Sequence, residues 1–271
     1  MGSDASDNSD AFETLRLDRP DERILRVTLH RPEAANALNT QMGRDLITVF
    51  ERFRLEPDRE RCIVLTGAGD RAFCAGGDLK ERDGMSDAAW LAQHLVFEAA
   101  FRAVDECPIP IIAAVNGAAF GGGCELALAC DFIYATDSAR FAQTETRLGI
   151  IPGGGGTQRL SRAVGAARAK EIILTATPFD AARALEWGLV NKTVPAAALA
   201  QEVLTAARAI AANAPIAVRQ AKLAIDNGLE VDLRTGLVIE IAAYNQTVPT
   251  EDRREGIRAA RERRAPKFTG R

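Results

Sequence analysis

Two glutamates stand where a chain could do acid–base chemistry. Glu125 lies in IIAAVNGAAFGGGCELALACD (Ile111 to Asp131), directly after three glycines, and Glu145 lies in FAQTETRLGIIPGGGGTQ (Phe141 to Gln158), just before a second glycine run. Three successive glycines let a backbone approach a ligand closely, and the first-turn N–H groups of a helix point outward toward negative charge. Two carboxylates beside such donors would permit proton transfer next to a developing oxyanion. Each feature also has a plainer explanation: glycine turns serve packing, and a first-turn glutamate complements the helix dipole.

The elements that must position these acids follow from periodicity. Ile111, Ile112 and Val115 mark a buried strand, Asn116-Gly117 its turn, and Gly121-Gly122-Gly123 the opening of an apolar helix with Glu125 in its first turn. Leu25, Val27 and Leu29 alternate with polar residues over Ile24 to His30, which predicts a strand with one buried face. Asn39 is suited to cap a helix carrying Met42, Leu46, Val49, Phe50 and Phe53 up to Pro57, and Cys62 to Thr66 is a further buried strand. Gly67 to Ser86 reads as a long irregular loop, and Ser86 as the cap of a helix bearing Trp90, Phe97, Phe101 and Val104. Strands at Phe132 to Ala135 and Phe141-Ala142 continue a strand-rich pattern to Gly156. Beyond Thr157 the chain turns helical, with Asp180 as a cap, an alanine-rich helix from Ala196 to Ala212, and helices at Pro215 to Gly228, Val231 to Thr247 and Glu251 to Arg264. The fold class is α/β, with a tail over residues 1–11, a body over 12–195 and a helical part over 196–271. No repeat is legible in the sequence itself, although the strand–helix alternation leaves room for a structural one.

Composition narrows the function. A 271-residue chain with 47% hydrophobic residues can bury a large core, and a net charge of -3 gives no reason to expect bulk nucleic-acid binding. The charge is uneven: eight Lys/Arg face four Asp/Glu from Glu251 to Arg271, so that end could meet phosphate. Five cysteines without a CxxC pair predict free thiols in a reducing, cytoplasmic compartment and no metal site. No apolar run approaches a membrane span, and the acidic start MGSDASDNSD reads as a disordered tail without signal-peptide character. The two histidines, His30 and His94, lie outside the glycine turns, and GxSxG is missing, which argues against a Ser-His-Asp or Cys-His enzyme. Gly153 to Gly156 with Thr157 lacks the lysine of a phosphate loop, and neither GxGxxG nor HExxH occurs.

Taken together, RPEAANALN (Arg31 to Asn39), FCAGGDLKE (Phe73 to Glu81), the Ala113 to Asp131 stretch and Phe141 to Leu160 resemble the enoyl-CoA hydratase (crotonase) family, in the right order and over about residues 12 to 271. CAGGDLKERDGMS and the C-terminal run from Ala221 look most like its methylglutaconyl-CoA hydratase branch, whose animal member also binds AU-rich RNA. The resemblance implies a spiral of strand-strand-helix turns with C-terminal helices that build trimers, often paired into hexamers. It implies a hydro-lyase of fatty acyl metabolism that adds water to a 2-enoyl-CoA thioester, with CoA as part of the substrate and no separate cofactor. Carried over residue by residue, Glu125 and Glu145 are the catalytic acids, and the N–H groups of Gly77 and Gly122 receive the thioester oxygen. Ala35, Ala75, Asp78, Leu79, Lys80 and Arg263 fall at CoA- or substrate-binding positions. Glu125 is expected mainly to orient and deprotonate the water and Glu145 mainly to protonate Cα. Two departures from the family pattern stand out: Gly77 replaces the alanine of AGAD, which should loosen the loop, and Thr144 replaces a proline before the second acid.

Two alternatives remain at this point. An enoyl-CoA isomerase of the same family generally works with one retained acid. An RNA-binding protein on a hydratase scaffold would need basic residues before the GGG turn, and EAAFRAVDECPIP offers one arginine against three acids. That charge argues against RNA, and DNA binding is not expected either. For a substrate with a distal carboxylate, Arg147 is the candidate partner.

Overall fold

A computed structural model describes residues 12–271; the expected tail over residues 1–11 lies outside the described residues. The chain runs through β1 (Leu15–Asp21), β2 (Ile24–Leu29), α1 (Thr40–Leu55), β3 (Cys62–Gly67), β4 (Ala72–Cys74), α2 (Leu79–Arg82) and α3 (Asp87–Asp105). It continues through β5 (Ile111–Val115), β6 (Ala118–Phe120), α4 (Gly122–Leu128), β7 (Phe132–Thr136), β8 (Arg140–Ala142), α5 (Gly156–Val164), α6 (Ala166–Thr175), β9 (Phe179–Asp180), α7 (Ala181–Glu186) and β10 (Lys192–Val194). Four helices close it: α8 (Leu199–Ala211), α9 (Pro215–Gly228), α10 (Leu233–Thr247) and α11 (Glu251–Glu262).

The strands form two sheets, ordered β1-β2-β3-β5-β7-β10 and β4-β6-β8-β9. Successive turns of chain lay one strand in each sheet, β3 then β4, β5 then β6, β7 then β8, with β2, β3, β5 and β7 parallel in one and β4, β6 and β8 parallel in the other. The alternation thus does hide a structural repeat, a spiral of strand-strand-helix turns. Register explains why the central strands read as continuous apolar runs, since both faces are covered. Ile63 and Leu65 of β3 and Ile111, Ala113 and Val115 of β5 join the main core with Phe50, Phe53, Phe73 and Phe141. Cys62, Val64, Ile112 and Ala114 face the other way, onto Leu199, Val203 and Ala207 of α8. Although α8 lies beyond residue 196, it is seated on the larger sheet, whereas α9 and α10 pack chiefly on each other.

Several local expectations are met by the caps themselves. The Asn39 side chain accepts from Met42 N–H at 2.9 Å and opens α1, and Ser86 accepts from Ala89 N–H at 3.3 Å and opens α3. Three need correction. The stretch from Gly67 to Ser86 is not an irregular loop but holds β4 and the one-turn α2. The strand-rich pattern breaks before Gly156, at a 3-10 turn from Glu145 to Leu148. β1, β6 and, in the stretch expected to be helical, β9 and β10 were not expected, because β1 mixes charged and apolar residues and the others are two or three residues long, with the pairing partner rather than local pattern fixing each.

Candidate active site

The first acid is built from the helix outward. Gly121 caps α4 with φ 50°, a left-handed backbone that favours glycine, and Glu125 follows in the first turn, 3% exposed. Its Oε1 accepts two amide N–H groups, from Gly154 and Gly156, each at 2.7 Å. Burial pushes the carboxyl above its ordinary range, while those two donors and the positive charge of Arg159 oppose the shift. The glycine run that looked superficially like a phosphate loop therefore serves a carboxylate of its own chain.

Glu145 reaches the same place from the 3-10 turn and is also buried. A Cβ on Gly121 would lie 2.7 Å from Glu145 Oε1, so the second acid rests against the head of the helix that carries the first. Its Oε2 is buried without a hydrogen-bond partner. Burial, followed by the neighbouring charge of Glu125, pushes Glu145 up to about 7, with backbone hydrogen bonds from Glu145 and Thr144 and the charge of Arg82 pulling the other way. One acid is thus held by fixed donors, and the other is poised to carry or release a proton near neutrality.

The two backbone donors adjoin this pair. Leu38 and Gly77 form a parallel bridge in which Leu38 N–H donates to Gly76 O and Asp78 N–H to Leu38 O, both at 2.8 Å, so the Gly77 N–H stays outside the ladder. Gly122, the first residue of α4, has no partner within the helix for its N–H. A Cβ on Gly76 would lie 3.5 Å from Gly122 N, which brings the two loops side by side. Gly77, Gly122, Glu125 and Glu145 all line one cavity of about 570 Å³. Its walls are largely apolar, from Leu38, Trp90, Phe97, Phe101, Leu148 and Ile151.

Of the other sequence-predicted positions, Ala75 and Leu79 line this cavity and Ala35, Asp78, Lys80 and Arg263 do not. Ala35 accepts from Ala75 N–H at 3.1 Å and so holds the Gly76-Gly77 loop from behind. Asp78 caps α2 through Lys80 and Glu81 N–H and pairs with Arg31 at 2.8 Å. Lys80 is exposed on α2, and Arg263 is the exposed residue that ends α11. The candidate carboxylate partner Arg147 is exposed and lies outside the cavity lining, whereas Arg82 lines it. Its guanidinium stacks 4.3 Å from the Trp90 ring centre, and Nε donates to Gln93 at 2.8 Å. A Cβ on residue 77 would come within 3.0 Å of Arg82 Nη1, so glycine in place of alanine there makes room for the cation. Gly77 itself is not in the left-handed region, so its backbone conformation does not by itself require glycine.

Sequence reading missed Arg82, the Gly154 and Gly156 donors, and Gln143, whose fully buried amide lies beside Gly156 with neither polar atom partnered. His94 lines the cavity and its Nε2 lies 3.3 Å from Glu98 Oε1. All five cysteines are free and buried, and burial pushes Cys62, Cys74 and Cys107 up to about 12. Among the described residues, no cluster of three metal-ligating side chains occurs, and no helix is long and apolar enough to cross a membrane.

The family model for enoyl-CoA hydratase/isomerase matches residues 19–271. A Bacillus subtilis protein that carries the provisional name enoyl-CoA hydratase/isomerase YngF is 48% identical over 249 residues, covering 92% of this chain and 95% of its own. The short-chain-enoyl-CoA hydratase of Clostridium acetobutylicum is 41% identical, covering 89% of this chain and 92% of its own. Among solved structures, the enoyl-CoA hydratase from Bacillus anthracis superposes with a TM-score of 0.94 at 44% identity, covering 96% of this chain and all of that one.

Proposed function

The chain belongs to the enoyl-CoA hydratase/isomerase family, and from that premise we propose that it adds water across the 2,3 double bond of a 2-enoyl-CoA thioester. The observation that carries this reading is that both acids and both free amides share one largely apolar cavity. Attack of water at Cβ drives charge onto the thioester oxygen, where the Gly77 and Gly122 N–H groups would receive it in a water-poor site. Glu125, fixed by two donors, orients the water and takes its proton. Glu145, with its pKa near neutrality, delivers a proton to Cα. Two strongly coupled carboxyls share these steps as a pair. A second intact acid favours hydration over isomerisation, for which one would suffice.

The acyl group we propose is short and bears a carboxylate, as on a methylglutaconyl-type thioester. Arg82 supports this, because it stacks on an aromatic wall of the cavity, spends its Nε on Gln93 and keeps its Nη1 close to Gly77. Lys80 and Arg263 are proposed to meet the phosphates of CoA, which is part of the substrate; no further cofactor is needed. Self-association as a trimer, or a dimer of trimers, would cover the exposed Leu229, Leu233, Leu237, Ile241 and Tyr244 of the α9–α10 pair. Five free buried thiols suit a cytoplasmic setting.

The test is a panel of enoyl-CoA thioesters of differing length and charge, followed by loss of conjugated-thioester absorbance. Glu125→Gln and Glu145→Gln should each lose about two to four orders of magnitude in turnover; full activity in either, or double-bond migration in a 3-enoyl-CoA without hydration of the 2-enoyl form, refutes the assignment. Arg82→Met should weaken kcat/KM about 10- to 100-fold more for the carboxylated thioester than for crotonyl-CoA, on which the lost charge acts only through Glu145. Equal losses on both would remove the carboxylate from the proposal.

A further inference from the structure

We propose that Arg159 is a positioning residue for Glu125, its guanidinium holding the Gly154–Gly156 turn so that two amides converge on one carboxylate oxygen. The inference rests on Glu125 as a reacting acid and adds what keeps that acid aimed.

Arg159 makes three contacts that no surface charge requires. Its Nη1 donates to the Gly154 carbonyl at 2.9 Å. Its Nε donates to Asp105 Oδ1 at 3.0 Å, and Nη2 lies 2.9 Å from Asp105 Oδ2, a two-pronged grip on the last residue of α3. Residue 154 is therefore fixed on both sides: its N–H donates to Glu125 and its carbonyl accepts from Arg159. The peptide between Gly154 and Gly155 is the one Arg159 pins, and the next amide along, that of Gly156, is the second donor to Glu125.

Gly155 is built for this seat. Its φ of 104° lies in the left-handed region, and a Cβ there would come 2.0 Å from Arg159 Nη1, so the guanidinium occupies the space a side chain would need. The anchor at Asp105 matters because α3 also supplies Trp90, Phe97 and Phe101 to the cavity wall. One guanidinium thus ties the donor turn to the wall that faces it. As an exposed-side ion pair alone, Arg159–Asp105 would contribute little. Its worth lies in geometry, because small misplacements of a reacting group cost turnover steeply. Arg159 is also the cation whose charge acts on Glu125, whose other charged neighbour is Glu145; Cys124 precedes it on α4, and Arg82 and His94 line the same cavity.

The experiment compares the parent with Arg159→Met, Arg159→Lys and Asp105→Asn in two measurements. The first is the titration of the Glu125 carboxyl by carbon-13 NMR, assigned with Glu125→Gln, which needs no substrate. The second is kcat and KM on the best 2-enoyl-CoA. Arg159→Met should move the Glu125 midpoint to higher pH and lower kcat about 10- to 100-fold with KM within about twofold. Arg159→Lys should restore most of the midpoint but little of kcat, because a point charge does not reproduce the fork. Asp105→Asn, at an exposed site, should shift both in the same direction by less. An unmoved midpoint with parental kcat, or a loss confined to KM, overturns the proposal. If Arg159→Met does not fold, parental kcat and midpoint in Asp105→Asn overturn it equally. A parent inactive on every enoyl-CoA, with the Glu125 midpoint still moved by Arg159→Met, would sink the hydratase reading and leave the positioning role standing.

Discussion

The glycine-rich head of α4 and the 3-10 turn at Glu145–Leu148 deliver the same functional group to the same cavity and leave it in opposite situations. At the helix head, the carboxylate is tied to two amides from a turn about thirty residues away in sequence, and Arg159 braces that turn. At the 3-10 turn, one carboxylate oxygen is buried with nothing to accept from. Burial pushes both carboxyls up; at Glu125 the two amides and Arg159 oppose that shift, whereas at Glu145 the neighbouring negative charge of Glu125 adds to it. Two identical side chains therefore differ through their surroundings alone, and each region can be broken in a way the other cannot.

The largest separation should appear on truncation. Glu125→Ala leaves two buried N–H groups unpaired and should cost about 2 to 5 kcal/mol of stability by urea unfolding at pH 7, while Glu125→Gln, which keeps an acceptor oxygen, should cost much less. Equal stability of the two variants would mean that the amides do not depend on the carboxylate. The opposite sign is expected at the other acid. Glu145 holds its proton up to about 7 in the fold against an ordinary value near 4.5. Below the ordinary value both states are protonated and the group is neutral for stability. Between the two values the unfolded chain ionises first, so stability falls as pH rises, and above about 7 the full penalty is present. Glu145→Gln should therefore stabilise the protein by about 2 to 3 kcal/mol at pH 8.5 and by little at pH 4.5. A gain independent of pH would assign it to packing.

A smaller, catalytic contrast follows from the same asymmetry. If Glu145 must carry a proton to Cα, kcat/KM for a neutral 2-enoyl-CoA should fall above about pH 7, reaching about one-tenth of its plateau at pH 8. A profile flat from pH 6 to 9 would take the proton-donor role from Glu145. The smallest effects belong outside the cavity. Lys80→Ala and Arg263→Ala, both at exposed charges, should raise KM about two- to fourfold without changing kcat. A change in kcat at either would place it nearer the reacting atoms than the structure does.

Much was legible in the chain alone because it depends on neighbours within a few residues. The alternation of Leu25, Val27 and Leu29, the cap at Asn39 with its helical stripe, and the glycines that put Glu125 in a first turn all follow from backbone preferences and local hydrogen bonds. Motif resemblance carried the family and the pairing of Glu125 with Glu145. Tertiary structure decided what no local rule contains. β1 and β6 exist because a partner strand completes them, and Arg82 rather than Arg147 faces the cavity because α2, hidden in an apparent loop, points it onto Trp90. The same holds for the glycine run at 153–156. Its sequence argued only against a phosphate loop, and the packing of the turn onto α3 and α4 gave its amides a carboxylate of the chain itself as their acceptor. Which atoms meet across distant segments is settled by burial and close packing, and those act on the folded molecule as a whole.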